Sequence, residues 1–208
     1  MNGRQIPAQN KNKIFITKIY EKRRLIMDTQ FEDIILHPIG VVRNTTKQPF
    51  LIANETGLRM REDIAPTLEK VRKNDETVSE VVLNEDLADH LEGIDEYSHI
   101  TIIYWAHNVP REARALKMVH PMGNPENPLV GLFSTCSPAR PNPILTTTVR
   151  LIGVEGTTLQ VTGLDAIDGS PVLDIKPHFK EHPLAADVRI PEWMEKIQST
   201  IRQRKTKD

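Results

Sequence analysis

Along most of this chain apolar residues fall in short runs and not in helical stripes. β-branched positions gather at residues 33–43, where Ile34, Ile35, Ile39, Val41 and Val42 are interrupted by Pro38, and again at 78–83, 99–105, 130–134, 146–154, 158–164 and 172–175. Each run is short and bounded by Gly, Pro, Asn or Asp, the pattern of strands joined by turns. Seven such segments predict a mainly β protein, a small closed or partly open barrel, since closure removes exposed sheet edges. Residues 45–61 read as irregular, with Gly57 as a turn residue.

Helical period appears in two places. "NEDLADHLEGI" sets Leu87 and Leu91 four apart, with Asn84 as N-cap and Gly93 as the stop, and predicts one short helix before the 99–105 strand. "PEWMEKIQSTIRQRKTKD" sets Trp193, Ile197 and Ile201 four apart behind Pro191 at the first helical position, and predicts a C-terminal helix. The basic tail Arg202, Arg204, Lys205 and Lys207 reads as a solvated end. The expected organisation is a disordered arm over residues 1–30, a barrel domain over 31–184, and a helix with its tail over 185–208. The arm is polar, basic and without sustained periodicity; an overextended start, with Met27 as the true first residue, is the other reading of it.

Composition narrows the class. The 208 residues, 38% hydrophobic, suffice for one well-buried domain. Lys and Arg number 27 against 28 acidic residues, a net charge of −1, so any nucleic-acid binding must use a local patch and not a global basic field. The single cysteine cannot form an internal disulfide. With no leader pattern and no membrane-length apolar run, a cytoplasmic protein away from membranes is expected.

Chemistry concentrates in two segments. "GLFSTCSPARPNPI" carries Pro138, Pro141 and Pro143, which remove three backbone donors and push Ser137, Arg140 and Asn142 toward extended conformations. It must be a stiff loop, either a connector or a platform presenting Ser134, Thr135, Ser137, Arg140 and Asn142 to a ligand at small entropic cost. "GLDAIDGSPVLDIKP" holds Asp165, Asp168 and Asp174 within ten residues. Asp168 opens a turn and is expected to accept from backbone N–H groups two residues on. Asp165 and Asp174 flank that turn, where together they would hold a ribose, an ammonium or a sulfonium, or supply a base; strand-end caps are the plainer alternative. His178 and His182 have a metal-ligand spacing, but Pro177 and Pro183 break the helix that would present them, so no metal site is expected. Cys136 is either a nucleophile served by His99, His107 or His120, or a buried inert thiol, the reading preferred here. Neither a dinucleotide-type glycine fingerprint nor a P-loop is present.

The two segments together resemble the TsaA-like (TrmO) family, whose usual patterns read GxFATRSPxRPNPIG and DxxDGTPVLDIKPY. The likeness extends through "HPIGVVRN" and "LEGIDEYSHITIIYWAHN", so it covers roughly residues 34–179. It implies a small β-barrel that binds S-adenosylmethionine and works as a homodimer with its site near the subunit interface. The implied activity is methylation of the exocyclic nitrogen of N6-threonylcarbamoyladenosine beside the anticodon of tRNA. Carried over by position, the cofactor contacts are Glu55, Thr56, Gly57, Ala106, His107, Cys136, Thr146, Thr162, Gly163, Leu164 and Asp165. Asp165 and His107 are the candidate bases; Arg140, Asn142 and Lys176 are candidates to meet RNA or the threonyl carboxylate. Longer family members carry a further C-terminal domain that this chain is expected to lack.

The chain departs from the family pattern at three positions. Cys136 stands where the family has Arg, Met122 replaces the Arg after His120-Pro121, and Leu145 replaces a Gly. Loss of two cations would weaken the hold on a cofactor carboxylate unless Arg140 or Arg59 substitutes. The alternatives are therefore a methyltransferase with another RNA or small-molecule acceptor, or a ligand-binding module without catalysis.

Overall fold

In the computed structural model, residues 33–54, 57–60, 77–179 and 188–205 are described. The chain divides into two compact units, Met1–Leu36 and His37–Asp208. Of the first, residues 33–36 are described and have no regular structure; the expected arm over 1–30 lies outside the described residues.

The second unit carries β1 (Gly40–Arg43), β2 (Leu51–Asn54), β3 (Gly57–Met60), β4 (Val78–Leu83), β5 (His99–Trp105), β6 (Met118–Val119), β7 (Val130–Gly131), β8 (Ile144–Glu155), β9 (Thr158–Thr162), β10 (Pro171–Pro177) and α1 (Glu192–Lys205). Six of these strands close an antiparallel barrel in the order β1-β10-β5-β8-β9-β4, with β4 returning to β1. Alternation along β5 sends Ile100, Ile102 and Tyr104 inward, where they pack with Val42, Val81, Val149, Leu159, Val161 and Val172. Full burial of each aliphatic side chain contributes about 1.5–3 kcal/mol.

Several elements differ from the sequence expectation. The 33–43 run becomes a strand only at Gly40, because Pro38 has no N–H for a ladder and pairing begins where Ile39 donates to the Val172 carbonyl at 2.8 Å. Residues 45–61 are not irregular throughout, since β2 and β3 form a hairpin. The 130–134 run is extended only at β7; its remainder, Leu132–Ser134, is a 3-10 turn held by the Thr135 N–H and hydroxyl on the Leu132 carbonyl. The helix expected after Asn84 is also 3-10, over Glu85–Leu91, with no side-chain cap from Asn84 and Leu91 its one buried residue. Gly93 does end it, at φ 78°. Pro191 precedes α1 by one residue and accepts at its carbonyl from Met194 and Glu195.

β8 is the longest strand and changes partners along its length. Residues 144–150 pair with β5, and residues 150–155 pair with β9 across a register shift between Leu151 and Gly153. Such a bulge bends a strand and turns a barrel corner. Past Thr162 the chain leaves β9 at Gly163, whose φ of 85° favours glycine, and residues 164–167 run beside the part of β8 that β9 no longer covers.

Two features close the barrel at β1. A Cβ on Gly40 would lie 2.4 Å from the Val82 carbonyl oxygen and 2.9 Å from the Leu83 Cα, so only glycine lets β1 sit this close to β4. One residue beyond β1, Asn44 ties three segments together: its amide donates to Ser79 Oγ (3.2 Å) and the Ala166 carbonyl (2.9 Å), and its N–H donates to Asp168 Oδ1 (3.0 Å). Asp168 thus accepts from Asn44 across the barrel end and not from its own turn, whose N–H groups at Gly169 and Ser170 donate to Val42 and Ile167 carbonyls. Lys47 pairs with Asp168 Oδ2 at 2.6 Å, and this hydrogen bond, with that of Asn44, holds the Asp168 carboxyl below its ordinary pKa.

Gly40→Ala should lower stability by about 1–3 kcal/mol or more, because the methyl meets backbone that cannot rotate away. Urea unfolding midpoints measure this, and an unchanged midpoint would show that β1 and β4 can separate freely. Asp168→Asn keeps an oxygen for the Asn44 N–H but loses the Lys47 ion pair, whereas Asp168→Ala loses both. Melting temperatures should therefore fall in the order wild type, Asn, Ala.

Candidate functional site

A cavity of about 310 Å³ opens at the end of the barrel where Trp105 leaves β5 and Ile144 enters β8. One wall is barrel: Leu145, Asp165 and Ile167. The opposite wall is a small cap, in which the β2–β3 hairpin, the 3-10 turn Glu112–Ala115 and the proline loop share a second apolar cluster of Ala53, Val109, Ala113 and Ala139. Phe50, Leu51 and Ile52 face the cavity from the hairpin, Ala106, Asn108 and Val109 from the β5 exit, and Cys136 and Pro138 from the proline loop. The lining is almost wholly apolar, and Asp165 is its one charged residue among those described.

Asp165 is held from below by the barrel. Tyr104, 2% exposed, donates its hydroxyl to Asp165 Oδ1 at 2.6 Å, and Thr147 donates to the same oxygen. Burial, and then the Asp165 charge beside it, push the Tyr104 phenol far above its ordinary value, so it stays a donor throughout the physiological range. Tyr104 and Thr147 escaped the sequence reading, although the inward alternation of β5 was a signal: a buried tyrosine hydroxyl needs a partner. The hairpin wall was missed too; "PFLIA" between Gln48 and Asn54 is a short apolar run without alternation.

The proline loop is braced internally. Ala139 N–H donates to Ser137 Oγ at 3.2 Å, Ser137 N–H to Thr135 Oγ1 at 3.2 Å, and Arg140 Nη1 to the Thr135 carbonyl at 2.8 Å. The Arg140 guanidinium also lies 5.4 Å over the Phe133 ring. Arg140 thus replaces the N–H donors that the prolines lack, and Asn142 is exposed beside it.

The remaining expected site residues are dispersed. Ala106, Cys136 and Asp165 meet in the cavity wall. Cys136 is exposed there and not buried, because the loop that carries it is turned to the cavity and not to the core; among the described residues no histidine bonds to it. His99 instead contacts Ser98 Oγ at 2.9 Å, and His120 contacts the Asn127 carbonyl at 2.7 Å. Glu55 and Thr56 lie outside the described residues. Gly57 starts β3, with its N–H on Asn54 Oδ1 at 3.1 Å. Thr146 pairs with Ile103 on the outer face of the barrel, Thr162 ends β9, and the Leu164 side chain is in the core. Lys176 is on the outer face, paired with Asp174 at 2.7 Å. Asp165 and Asp174 do not come together: the register shift between Val172 and Asp174 sets Asp174 opposite outward Ile103, while Asp165 bonds inward Tyr104. His178 follows β10, and His182 lies outside the described residues.

His107 flanks the cavity behind Ala106 and Asn108. Its Nδ1 is buried without a hydrogen-bond partner among the described residues, and its Nε2 lies 3.9 Å from where a Gly169 Cβ would stand. Burial lowers the imidazole pKa, and the Asp168 carboxylate partly opposes this. Among the described residues no three His, Cys, Asp or Glu side chains gather as a metal site, and no helix is long and apolar enough to cross a membrane.

Similarity to known proteins agrees with this architecture. An S-adenosyl-L-methionine-binding protein of Archaeoglobus fulgidus is 38% identical over 147 residues, 71% of this chain and 91% of that one. The crystal structure of TrmO from Pseudomonas aeruginosa superposes with a TM-score of 0.55 at 26% identity, over 79% of this chain. This chain spans 63% of the length of that TrmO chain. Residues 63–183, more than half of the sequence, match the family described as the tRNA-methyltransferase O N-terminal domain. In sequence and in fold, this chain belongs to the tRNA-methyltransferase O N-terminal domain family.

Proposed function

We propose that this protein is an S-adenosylmethionine-dependent methyltransferase acting on the exocyclic nitrogen of N6-threonylcarbamoyladenosine beside the anticodon of tRNA. The observation that carries the reading is the apolar cavity with a single carboxylate in its wall, in a chain of this family. The donor set fits the cofactor: apolar walls from the hairpin and Leu145 suit an adenosine, and Asp165 suits a ribose hydroxyl, an ammonium or a sulfonium. Ala106, Cys136 and Asp165 would hold it, with the backbone of residues 162–164 and Gly57; Glu55 and Thr56, also expected there, lie outside the described residues. When bound, S-adenosylmethionine supplies a methyl group on an electrophilic sulfonium centre.

The chain's own residues must then orient a weak, amide-like nitrogen and receive its proton. Asp165 lies in the cavity and is the better placed acceptor. His107, kept neutral near physiological pH by burial, is the second, one residue from the wall. Asn142 and the proline loop form the rim that RNA would meet, with Arg140 stiffening it and Lys176 available to phosphate from the outer face. A homodimer is part of the reading, supported by the exposed apolar residues Met118, Met122, Leu129 and Phe133 in one stretch of chain. A tRNA substrate would place the protein in the cytoplasm.

A second reading, cofactor binding without turnover, is favoured by Cys136 and Met122 at positions where the family carries arginine. Arg140 does not line the cavity to make good that loss: its Nη1 serves the loop carbonyls and its guanidinium lies over Phe133.

Calorimetry should show S-adenosylmethionine binding to the wild type, and Asp165→Asn should weaken it by about tenfold or more with an unchanged melting curve. Mass spectrometry of tRNA nucleosides from a deletion strain should show the unmethylated threonylcarbamoyladenosine accumulating. Binding with an unaltered nucleoside profile would favour the second reading; no binding would end both. The His107 imidazole should titrate below 6.5 by NMR. Its folded form takes a proton less readily than the unfolded chain. The associated stability is therefore complete above 6.5 and falls as pH drops toward the folded pKa. Titration at or above 6.5 would show that Asp168 outweighs burial.

A further inference from the structure

The Asp165 carboxylate is presented to the cavity in an asymmetric way. Both hydroxyl donors, Tyr104 and Thr147, converge on Oδ1, and their own oxygens are 3.4 Å apart. Among the described residues no protein group donates to Oδ2. Asp165 is exposed, whereas Tyr104 is buried in the barrel, so the saturated oxygen is on the barrel side. The other is left for a ligand.

We infer that Tyr104 and Thr147 are positioning residues that hold the Asp165 Oδ2 toward the cavity, and that the cavity thereby selects a cationic sulfonium ligand over the neutral thioether left after methyl transfer. This rests on the S-adenosylmethionine reading above and adds a discrimination to it. The physical basis is the contrast between this one carboxylate and its lining. A carboxylate free to rotate would turn to water and lose most of its attraction for a cation; one fixed beside apolar walls keeps its oxygen aimed at the ligand, whose bulk displaces the water that otherwise reaches the exposed carboxylate. Tyr104 is suited to the task because its ring sits in the core cluster with Ile102 and Val172, the latter its partner in the ladder, and its phenol remains protonated. Thr147 approaches from the next strand, so the carboxylate is fixed by two strands at once. A neutral thioether gains nothing from the arrangement. The spent cofactor would therefore leave more easily than the fresh one.

A purely structural role, tethering residues 164–167 to β5 and β8, makes a different prediction, because it would affect both ligands alike. The test is calorimetric titration of the full chain with S-adenosylmethionine and with S-adenosylhomocysteine. It compares the wild type, Tyr104→Phe, Thr147→Val and, as the charge-removed reference, Asp165→Asn. The wild type should prefer the sulfonium. Asp165→Asn should abolish the preference, and Tyr104→Phe and Thr147→Val should each reduce it by roughly threefold to tenfold. Both substitutions keep side-chain shape; Thr147 is only half-buried, so Thr147→Val reports even if the phenylalanine variant does not fold. Equal weakening toward both ligands, or a wild type without preference, would overturn the inference while leaving cofactor binding intact. A wild type that binds neither ligand would overturn the cofactor reading itself, and this inference with it.

Discussion

The barrel depends on the closeness of β1 to β4. A four-residue strand must bond β10 on one side and β4 on the other to complete the ring. It can do so because Gly40 has no side chain to hold the Val82 carbonyl away. Backbone conformation does not demand glycine there; space does. With β1 in place Val42 enters the core, and Asn44 is carried to the point where it reaches Ser79, Ala166 and Asp168. Closure therefore also anchors the loop that contains Asp165, since Ala166 and Asp168, just after it, are both tied to Asn44.

The site arises from an incomplete part of the same ring. β8 is long enough to serve both β5 and β9, but its register shift hands it from one to the other, and β9 ends before covering the first half of β8. Residues 164–167 fill that space irregularly, leaving one carboxylate on the surface of the gap and the aliphatic core beneath it. The cap covers the opening with small residues, Ala53, Ala113 and Ala139, whose size lets hairpin, 3-10 turn and proline loop come together over an apolar space. The result is an apolar cavity with a single carboxylate exposed at its wall.

The proline loop contributes rigidity more than charge. Removing three N–H donors would leave carbonyls of the loop without partners; Arg140 and the Thr135 hydroxyl donate to carbonyls, while Thr135 and Ser137 oxygens accept the loop's remaining N–H groups. An arginine in such a sequence is easily taken for a ligand clamp. Its Nη1 here serves carbonyls within five residues of chain and its guanidinium lies over Phe133, so the cavity wall holds Cys136 and not a cation where the family usually carries arginine. Affinity for an anionic end of a ligand must come from elsewhere, and the attraction that remains in the cavity is for positive charge.

Sequence alone determined the β character, the strands 78–83 and 99–105 to the residue, the stiffness of the proline loop and the family, since alternation, proline geometry and motif spacing are local properties of a chain. It also singled out Ala106, Cys136 and Asp165, which the fold brings to one cavity. The 3-10 form of the segment after Asn84 and the hairpin at residues 51–60 were not legible, because each is decided by the neighbours that satisfy its backbone groups. The separation of Asp165 from Asp174 was likewise hidden: one extra residue in β10 reverses the face of every side chain beyond it, and nothing in "VLDIKP" marks the bulge. Only the tertiary structure could join Tyr104, Thr147 and Asp165. They come from different segments and meet through barrel closure, so their contact is a consequence of register and packing and not of any spacing along the chain.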